Sequence, residues 1–588
     1  MKLKDAEKDF ADGEKKFADG KKEYEDAEKK LDDFKKVEGY ALTRDTNIGY
    51  VCFESDSDIV EGVSRVFPLF FFMVAALVCI TSMTRMIDEQ RTQIGVLKAL
   101  GYGEGAVYAL YLCYSGSASI IGCAVGSLAG SFFLPQMIWK AYNIMYGFAD
   151  LLWAFDFPLV AISSVAFIFS ALAATWFACN SELSRQAAEL LRPKAPKAGR
   201  RILLESIPFI WKRLPFLHKV TFRNIMRYRR RMVMMAVGIG GCTALLLTGY
   251  GIRDSISGVI DYQYEEITGY DISVSFVSGM DEEEQQEFIE RHTLTADSYL
   301  FVRNSGVDCT AGGVTKNVSA VAAKGDSIAG FVDLHDVYGN DISYPGDGDC
   351  VINDGLADVL GAKAGDSITL RSADGAQADY RVSGVFRNYI YNFAYLSNGG
   401  YDKIFGEGDP KTAYICVPDG EDLHRVAAEL SSDDTTANVD VNVDQRERIA
   451  RMLTSMDYIV LVVIVCAGAL AFIVLYNLTN ISIIERLREI ATLKVLGFYD
   501  RETGSYVFRE NIILTLIGIL VGFPMGIALH SYVMLQIRVD LIKFDIRILP
   551  ASYLYATAFT LVFALIVNIV LRPHIRNIHM AEALKSAE

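Results

Sequence analysis

ERLREIATLKVLGF, at residues 485–498, occurs nearly twice in this chain: 396 positions upstream, residues 89–102 read EQRTQIGVLKALGY. In that register Glu89, Ile94, Leu97, Lys98, Leu100 and Gly101 meet Glu485, Ile490, Leu493, Lys494, Leu496 and Gly497. Carried on without a gap, the same offset lays Gly122, Gly126 and Gly130 on Gly518, Gly522 and Gly526. One short match arises easily by chance. A register held through a second motif does not, and the chain reads as an internal duplication.

Each copy of the motif follows a long apolar run. Seven stretches, 66–84, 107–134, 158–179, 232–250, 458–478, 511–533 and 553–571, are long enough to cross a bilayer core, which takes about 20 residues. Composition agrees: 51% of residues are hydrophobic and 22% charged, a pairing that requires the two kinds to sit in separate blocks. Lysines and arginines in the segments flanking the spans set the orientation. Arg85, Arg91 and Lys98 follow the first, and Arg223, Arg227, Arg229, Arg230 and Arg231 precede the fourth. Arg486, Arg488, Lys494, Arg501 and Arg509 lie between the fifth and sixth, and Arg572, Arg576 and Lys585 follow the last. Placing these on the cytoplasmic side gives one consistent alternation. The acidic region 252–457 and residues 1–65 then lie outside. No signal peptide follows Met1 to carry residues 1–65 there, and the second half has one span more than the first, so a further N-terminal helix is expected.

The expected organisation is a heptad segment (1–38), a connector (39–65), a first three-span repeat (66–179), a basic linker (180–231), a span (232–251), an α+β domain (252–457), a second three-span repeat (458–571) and a tail (572–588). In the heptad segment Phe10, Phe17, Tyr24 and Leu31 recur every seven residues, with Ala6, Gly13, Gly20, Ala27 and Phe34 three places later. That is a coiled-coil seam of alternating large and small residues; a single solvated helix is the plainer alternative. In the α+β domain DISVSF, DSITL, YRVSGVF and AYICV read as strands, and 282–291, 354–360, 421–430 and 446–455 as helices. The acidic run 281–284 reads as a solvated helix start; a calcium site there has no loop pattern behind it. Glycines at every fourth position (Gly122, Gly126, Gly130; Gly518, Gly522, Gly526) put small residues on one helix face and suit close helix packing in lipid.

Catalytic and cofactor signatures are missing from the sequence. It has no G-x-x-x-x-G-K-[ST], H-E-x-x-H, C-x-x-C or G-x-S-x-G, so no catalytic, cofactor or metal residues are assigned. The net charge of −15 argues against nucleic acid. Six of the ten cysteines fall in apolar runs; Cys309 and Cys350 could pair outside the membrane, with free thiols the default. Ionisable residues are almost absent from the apolar runs, which argues against an ion channel or proton-coupled carrier.

ERLREIATLKVLGF resembles the segment that follows the second span of each repeat in FtsX-like permeases of ABC transporters, as does MTRMIDEQRTQIGVLKALGY at 83–102. GAKAGDSITL at 361–370, followed by YRVSGVF at 380–386, looks like the extracytoplasmic core domain of that family. The resemblance implies an α-helical integral membrane protein of about seven transmembrane helices in two repeats, with an α+β extracytoplasmic domain beside the N-terminal coiled-coil segment. It implies a separate ABC ATPase, a homodimer, as partner, and membrane lipids around the spans. Carried over residue by residue, it gives Glu89, Arg91, Ile94, Leu97, Lys98 and Gly101, with Glu485, Arg488, Glu489, Ile490, Leu493, Lys494 and Gly497, a part in ATPase coupling. Amphipathic helices lying on the membrane surface are the alternative for these segments. The function implied is a permease subunit that couples ATPase work to external domains, for export or extraction of lipid, lipoprotein or peptide. A non-transporting regulator of a cell-wall hydrolase or sensor, reached through an external protein bound by the coiled-coil arm, is the second reading. A bacterial plasma membrane is the simplest location.

Overall fold

The computed structural model describes residues 21, 48–146, 151–191, 215–227, 229–292, 299–324, 328–418, 420–537 and 542–576. The heptad segment therefore lies outside the described residues, apart from Lys21, as does most of the basic linker. The chain divides into two units, Met1–Ser55 and Asp56–Glu588; all that follows concerns the second.

Among the described residues, seven helices are long and apolar enough to cross a membrane. The first half supplies α1 (Ile48–Glu89), the short α2 (Arg91–Ala99), α3 (Glu104–Tyr146), α4 (Phe157–Leu183) and a single turn, α5 (Ala187–Leu190). After α6 (Phe216–Arg227), helix α7 (Arg229–Tyr262) ends in a π-helical turn, Gln263–Ile267. The β-domain then contains β1 (Ile272–Phe276), α8 (Glu282–Arg291), β2 (Tyr299–Ala311), β3 (Val314–Ala322), β4 (Asp349–Asn353), α9 (Asp354–Leu360), β5 (Ser367–Arg371) and β6 (Gln377–Phe386). It continues with β7 (Phe393–Leu396), α10 (Asn398–Phe405), β8 (Thr412–Ile415), α11 (Leu423–Ser431) and β9 (Thr436–Val441). The second half closes with α12 (Asn442–Glu485), α13 (Leu487–Val495), α14 (Asp500–Gln536) and α15 (Pro550–Arg576).

The β-domain has two lobes sharing one long strand. The inner part of β2 pairs antiparallel with β3 and β5, and β3, β7, β4, β6 and β5 complete a closed ring. Its interior is apolar, filled by Val307, Ile352, Leu370 and Val382, and holds Cys309 and Cys350 as separate free thiols. Burial pushes the Cys309 thiol up to about 12. The first residues of β2 pair with β8 in an open sheet completed by β1 and β9. Strand β1 buries Ile272, Val274 and Phe276 and turns Ser273 and Ser275 outward, the alternation of a half-buried strand. Asp281 starts α8 by accepting from the amides of Glu283 and Glu284, while Glu284 accepts from the Asp281 amide, the reciprocal box expected of S/T/D-x-x-E starts.

Two differences from the sequence reading concern helix length. The expected helix at 446–455 is the first part of α12, a single 44-residue helix, which at about 1.5 Å per residue is roughly 66 Å long, twice a bilayer core of about 30 Å. Likewise α7 has 34 residues before its π-turn. Both therefore run well beyond the membrane into the β-domain. The helices also carry ionisable residues at and beyond the ends of the apolar runs: His530 is buried in α14 within its run, whereas Glu510, buried in α14, and Asp254, in α7, lie just outside theirs. Averaging hydropathy over a span hides single charges that pair with other helices.

Candidate functional site

Helices α2 and α13 occupy equivalent places at the basic ends of the two repeats. Each is anchored by its isoleucine: Ile94 is 1% and Ile490 0% exposed. Ile94 joins Ile87, Val107, Leu183 and Leu190, and Ile490 joins Ile483, Leu514, Leu571 and Ile575. Each is clamped by its lysine. Lys98 Nζ donates to the carbonyls of Leu183 and Arg185 and pairs with Glu104 at 2.8 Å. Lys494 Nζ donates to the carbonyls of Ile575, at 2.9 Å, and Arg576, at 3.1 Å. Leu183 is the last residue of α4, so Lys98 satisfies an orphan carbonyl at that helix end, while Lys494 bonds the last described carbonyls of α15.

Each short helix then stops at its glycine. Gly101 has φ +89° and Gly497 φ +92°, a region open to glycine and strained for other residues. The amide of Gly101 bonds the carbonyl of Lys98 and that of Tyr102 bonds Leu97; Gly497 to Lys494 and Phe498 to Leu493 repeat the pattern. These are the paired 5→2 and 6→1 bonds of a Schellman stop. The turn throws Leu100, 71% exposed, and Tyr102 outward in the first half, and Leu496, 69% exposed, with Val495, Phe498 and Tyr499 in the second.

The carried-over residues therefore divide. Ile94, Ile490, Lys98 and Lys494 face their own repeat, as does Arg91, buried with its guanidinium donating to the Glu189 carbonyl at 2.8 Å. Leu97 and Leu493 are half-buried, and Glu89, Glu489, Gly101 and Gly497 are exposed. Glu485 and Arg488 lie on the helix ends, with side chains outside those described. The exposed apolar knobs were missed in the sequence, where Leu100 and Leu496 look like core positions; their place immediately before a stop glycine was the available signal.

The glycine ladders differ sharply. A methyl group added at Gly518 meets Ile239 at 2.7 Å, at Gly522 the Gly240 carbonyl oxygen and Thr243 at 2.8 Å, and at Gly526 Leu247 at 2.9 Å. The second ladder thus lies directly on α7. Around Gly122, Gly126 and Gly130 no described atom lies within 4 Å of such a methyl. The neighbouring polar clusters differ too. Arg486 and Glu510 form a buried ion pair, 3% and 1% exposed, beside Asn511 and Asn568. In the first half Gln90 accepts from the Tyr111 hydroxyl at 2.7 Å, and Thr175 donates to Ser115 at 2.8 Å, both without charge.

Two family models match the chain. The FtsX-like permease C-terminal domain matches twice, at residues 65–185 and 461–580, and the MacB-like periplasmic core domain matches residues 232–433. An uncharacterized ABC transporter permease of Methanocaldococcus jannaschii is 27% identical over 198 residues, 31% of this chain and 48% of the relative; the chain thus spans about half the length of that curated relative. Among solved structures, the extracellular domain of the noncanonic ABC-type transporter YknZ from Gram-positive bacteria aligns with a TM-score of 0.21 and 11% identity, over 29% of this chain and 98% of that domain.

Proposed function

We propose, for a chain that belongs to the FtsX-like permease family of ABC transporters, that it is the membrane subunit through which a separate ATPase moves an external β-domain. The observation that carries this is the repeated build of α2 and α13: a buried isoleucine, a lysine clamp, a glycine stop and an exposed apolar knob. The inward groups fix each helix to its own repeat, so force applied at the knob reaches the spans and is not lost in local bending. Leu100, Tyr102, Leu496 and Phe498 offer the ATPase its apolar contact; Glu89, Glu489, Glu485 and Arg488 offer the polar rim. From α13 the path runs into α12, which continues unbroken to the β-domain. A helix of that length transmits displacement stiffly.

The substrates that suit such a device are lipid, lipoprotein or peptide, drawn or pushed by the β-domain on the outer face of a bacterial plasma membrane. Movement of the β-domain supplies the work without an aqueous path through the bilayer.

Co-purification tests the docking. With tagged full-length permease and its cognate ATPase, Leu100→Asp combined with Leu496→Asp should lower ATPase recovery at least about tenfold, since each buried leucine is worth roughly 1.5–3 kcal/mol. Glu485→Ala with Arg488→Ala should lower it less. Undiminished recovery with the aspartate pair, in protein that still elutes as a single folded species, would remove the knobs from the interface and the proposal with them.

A further inference from the structure

Besides the chain connections through α7 and α12, the β-domain meets the membrane helices at a small polar joint whose residues lie outside the repeat motifs. Loop 387–391, between β6 and β7, is its centre. From α7, Gln263 reaches this loop at the first position of the π-turn. Its buried side-chain oxygen accepts from the amides of Tyr389, at 2.9 Å, and Ile390, at 3.2 Å, while its nitrogen donates to Thr268 at 3.2 Å. A π-turn widens the helix by one residue and re-aims the side chains that follow. From the opposite side comes the segment 542–549, which joins α14 to α15. The Lys543 amide donates to the Tyr389 carbonyl at 2.8 Å, and Ile542 bridges to Ile390. Lys543 Nζ pairs with Asp354 at 2.9 Å and Asp358 at 2.7 Å, and Asp545 pairs with Arg387 at 2.8 Å.

The loop itself is held taut. Buried Asn388 donates to the carbonyls of Ile390, at 2.8 Å, and Tyr391, at 3.0 Å. Tyr391 sits at φ +63°, a conformation that persists in a bulky residue only where the surroundings over-determine it. Tyr262 stacks on Tyr389 at 5.6 Å, with the Arg547 guanidinium 5.5 Å from the Tyr262 ring and Arg387 5.2 Å from Tyr389. The root of segment 542–549 is in turn fixed to α7: Asp254 accepts from the Leu549 amide at 2.8 Å and from Ser552 at 2.6 Å. By contrast, α12 meets α7 outside the membrane through exposed pairs, Arg446 with Asp261 and Glu265, and Arg253 with Asp457, which contribute little.

We infer that Gln263 and Lys543 are positioning residues that lock α7, the α14–α15 connection and the β-domain into one rigid lever. Both backbone polar groups of Tyr389 are taken, its N–H by the Gln263 side chain and its C=O by the Lys543 amide, so the loop cannot shift against either membrane element without exposing buried polar groups. The joint stands on this geometry alone; its use in coupling rests on the function proposed above.

Two measurements on the full-length protein in nanodiscs separate these claims. Gln263→Met keeps the side-chain length and removes the acceptor, whereas Gln263→Glu keeps the acceptor. Hydrogen exchange at the Tyr389 and Ile390 amides, which needs no ATPase, should quicken about tenfold or more in Gln263→Met and stay near wild type in Gln263→Glu. Equal protection in all three proteins overturns the joint. The second measurement follows the spin–spin distance between a label at Glu290 on α8 and one at Tyr532 on α14, in the complex with ATPase, before and after ADP–vanadate. In wild type the distance should stay narrow and constant. In Gln263→Met combined with Lys543→Ala it should broaden or change while ATP hydrolysis continues. A constant distance in that variant overturns the positioning role even if the exchange result holds. Failure of the ATPase to associate with wild type counts against the proposed function and leaves the exchange result to decide the joint.

Discussion

The two halves of this chain carry the same motif in the same register and have been put to different structural use. In the second half α14 wraps its glycines onto α7, whose apolar window is 78% buried, and a buried charge pair ties α14 to the entrance of α13. In the first half α3 packs on α4 but is largely exposed among the described residues, and apart from the Glu104–Lys98 pair at its start its polar contacts are neutral. What the halves share in structure is clearest at the basic ends, where isoleucine, lysine and glycine recur in equivalent roles. The two copies therefore agree more closely at these basic ends than in the helix interiors. Energetic sensitivity should follow the same division.

The largest contrast is expected at the ladders. Gly522→Leu drives a side chain into the Gly240 carbonyl and Thr243, where backbone cannot give way, and overpacking costs rise beyond the usual 1–3 kcal/mol. The variant should yield little monodisperse protein by size exclusion. Gly126→Leu meets open space and should keep wild-type yield and melting temperature, since a substitution that touches nothing stays within about 0.5 kcal/mol. Equal intolerance at Gly126 would mean the first ladder is also covered in the membrane, and the contrast between the halves would dissolve.

A second contrast separates charged from neutral clusters. Glu510→Ala leaves Arg486 buried without its carboxylate and should lower thermal stability by roughly 3–5 kcal/mol. Tyr111→Phe removes one neutral hydrogen bond to Gln90 and should cost about 1 kcal/mol. The double change Arg486→Met with Glu510→Leu sharpens the point: if the pair serves packing alone, stability should return to near wild type. Failure to recover would show that the charges hold α13 in position relative to α14.

The spans, the strands and the repeat were legible because each is written in local periodicity: apolar runs of membrane length, alternation in DISVSF and YRVSGVF, a constant offset between copies. The start of α8 was legible because the acidic run at Asp281–Glu284 makes a local cap. Partnership was not legible. Lys98 and Lys494 look like charges on a docking face, yet they bond carbonyls 81 or more positions away along the chain. The two glycine ladders are the same pattern on the page, and only the presence of α7 beside one of them makes them differ. Segment 542–549 resembles any short loop, since its role depends on meeting Tyr389 and Asp354 from a distant part of the sequence. The closing of the strands into a ring depends on β2 pairing with both β3 and β5, a long-range choice that alternation leaves open.

The smallest effect concerns the β-domain, which the described first half lacks altogether. Asp433, at the end of α11, pairs with Arg291 at 2.8 Å and His292 at 3.1 Å, with Glu429 3.9 Å from the far side of that imidazole. Burial opposes its charge, but the Thr435 hydroxyl and amide, His292 and Arg291 together hold it down at about 2, against an ordinary 3.8. A depressed carboxylate stabilises the fold above its unfolded value and ceases to do so as pH falls through its folded value. The contribution is thus complete above about pH 4 and fades between about 4 and 2, amounting to about 1–2 kcal/mol after allowance for solvent. Melting of the β-domain, followed by its own tyrosine signal or by exchange in α8 and α11, should fall over that interval in wild type and fall less in Asp433→Asn, which starts lower. The helices of the first repeat should show no matching acid step. Should both regions lose stability together, the β-domain and the membrane helices unfold as one unit, and the contrast between the two halves would not extend to their stability.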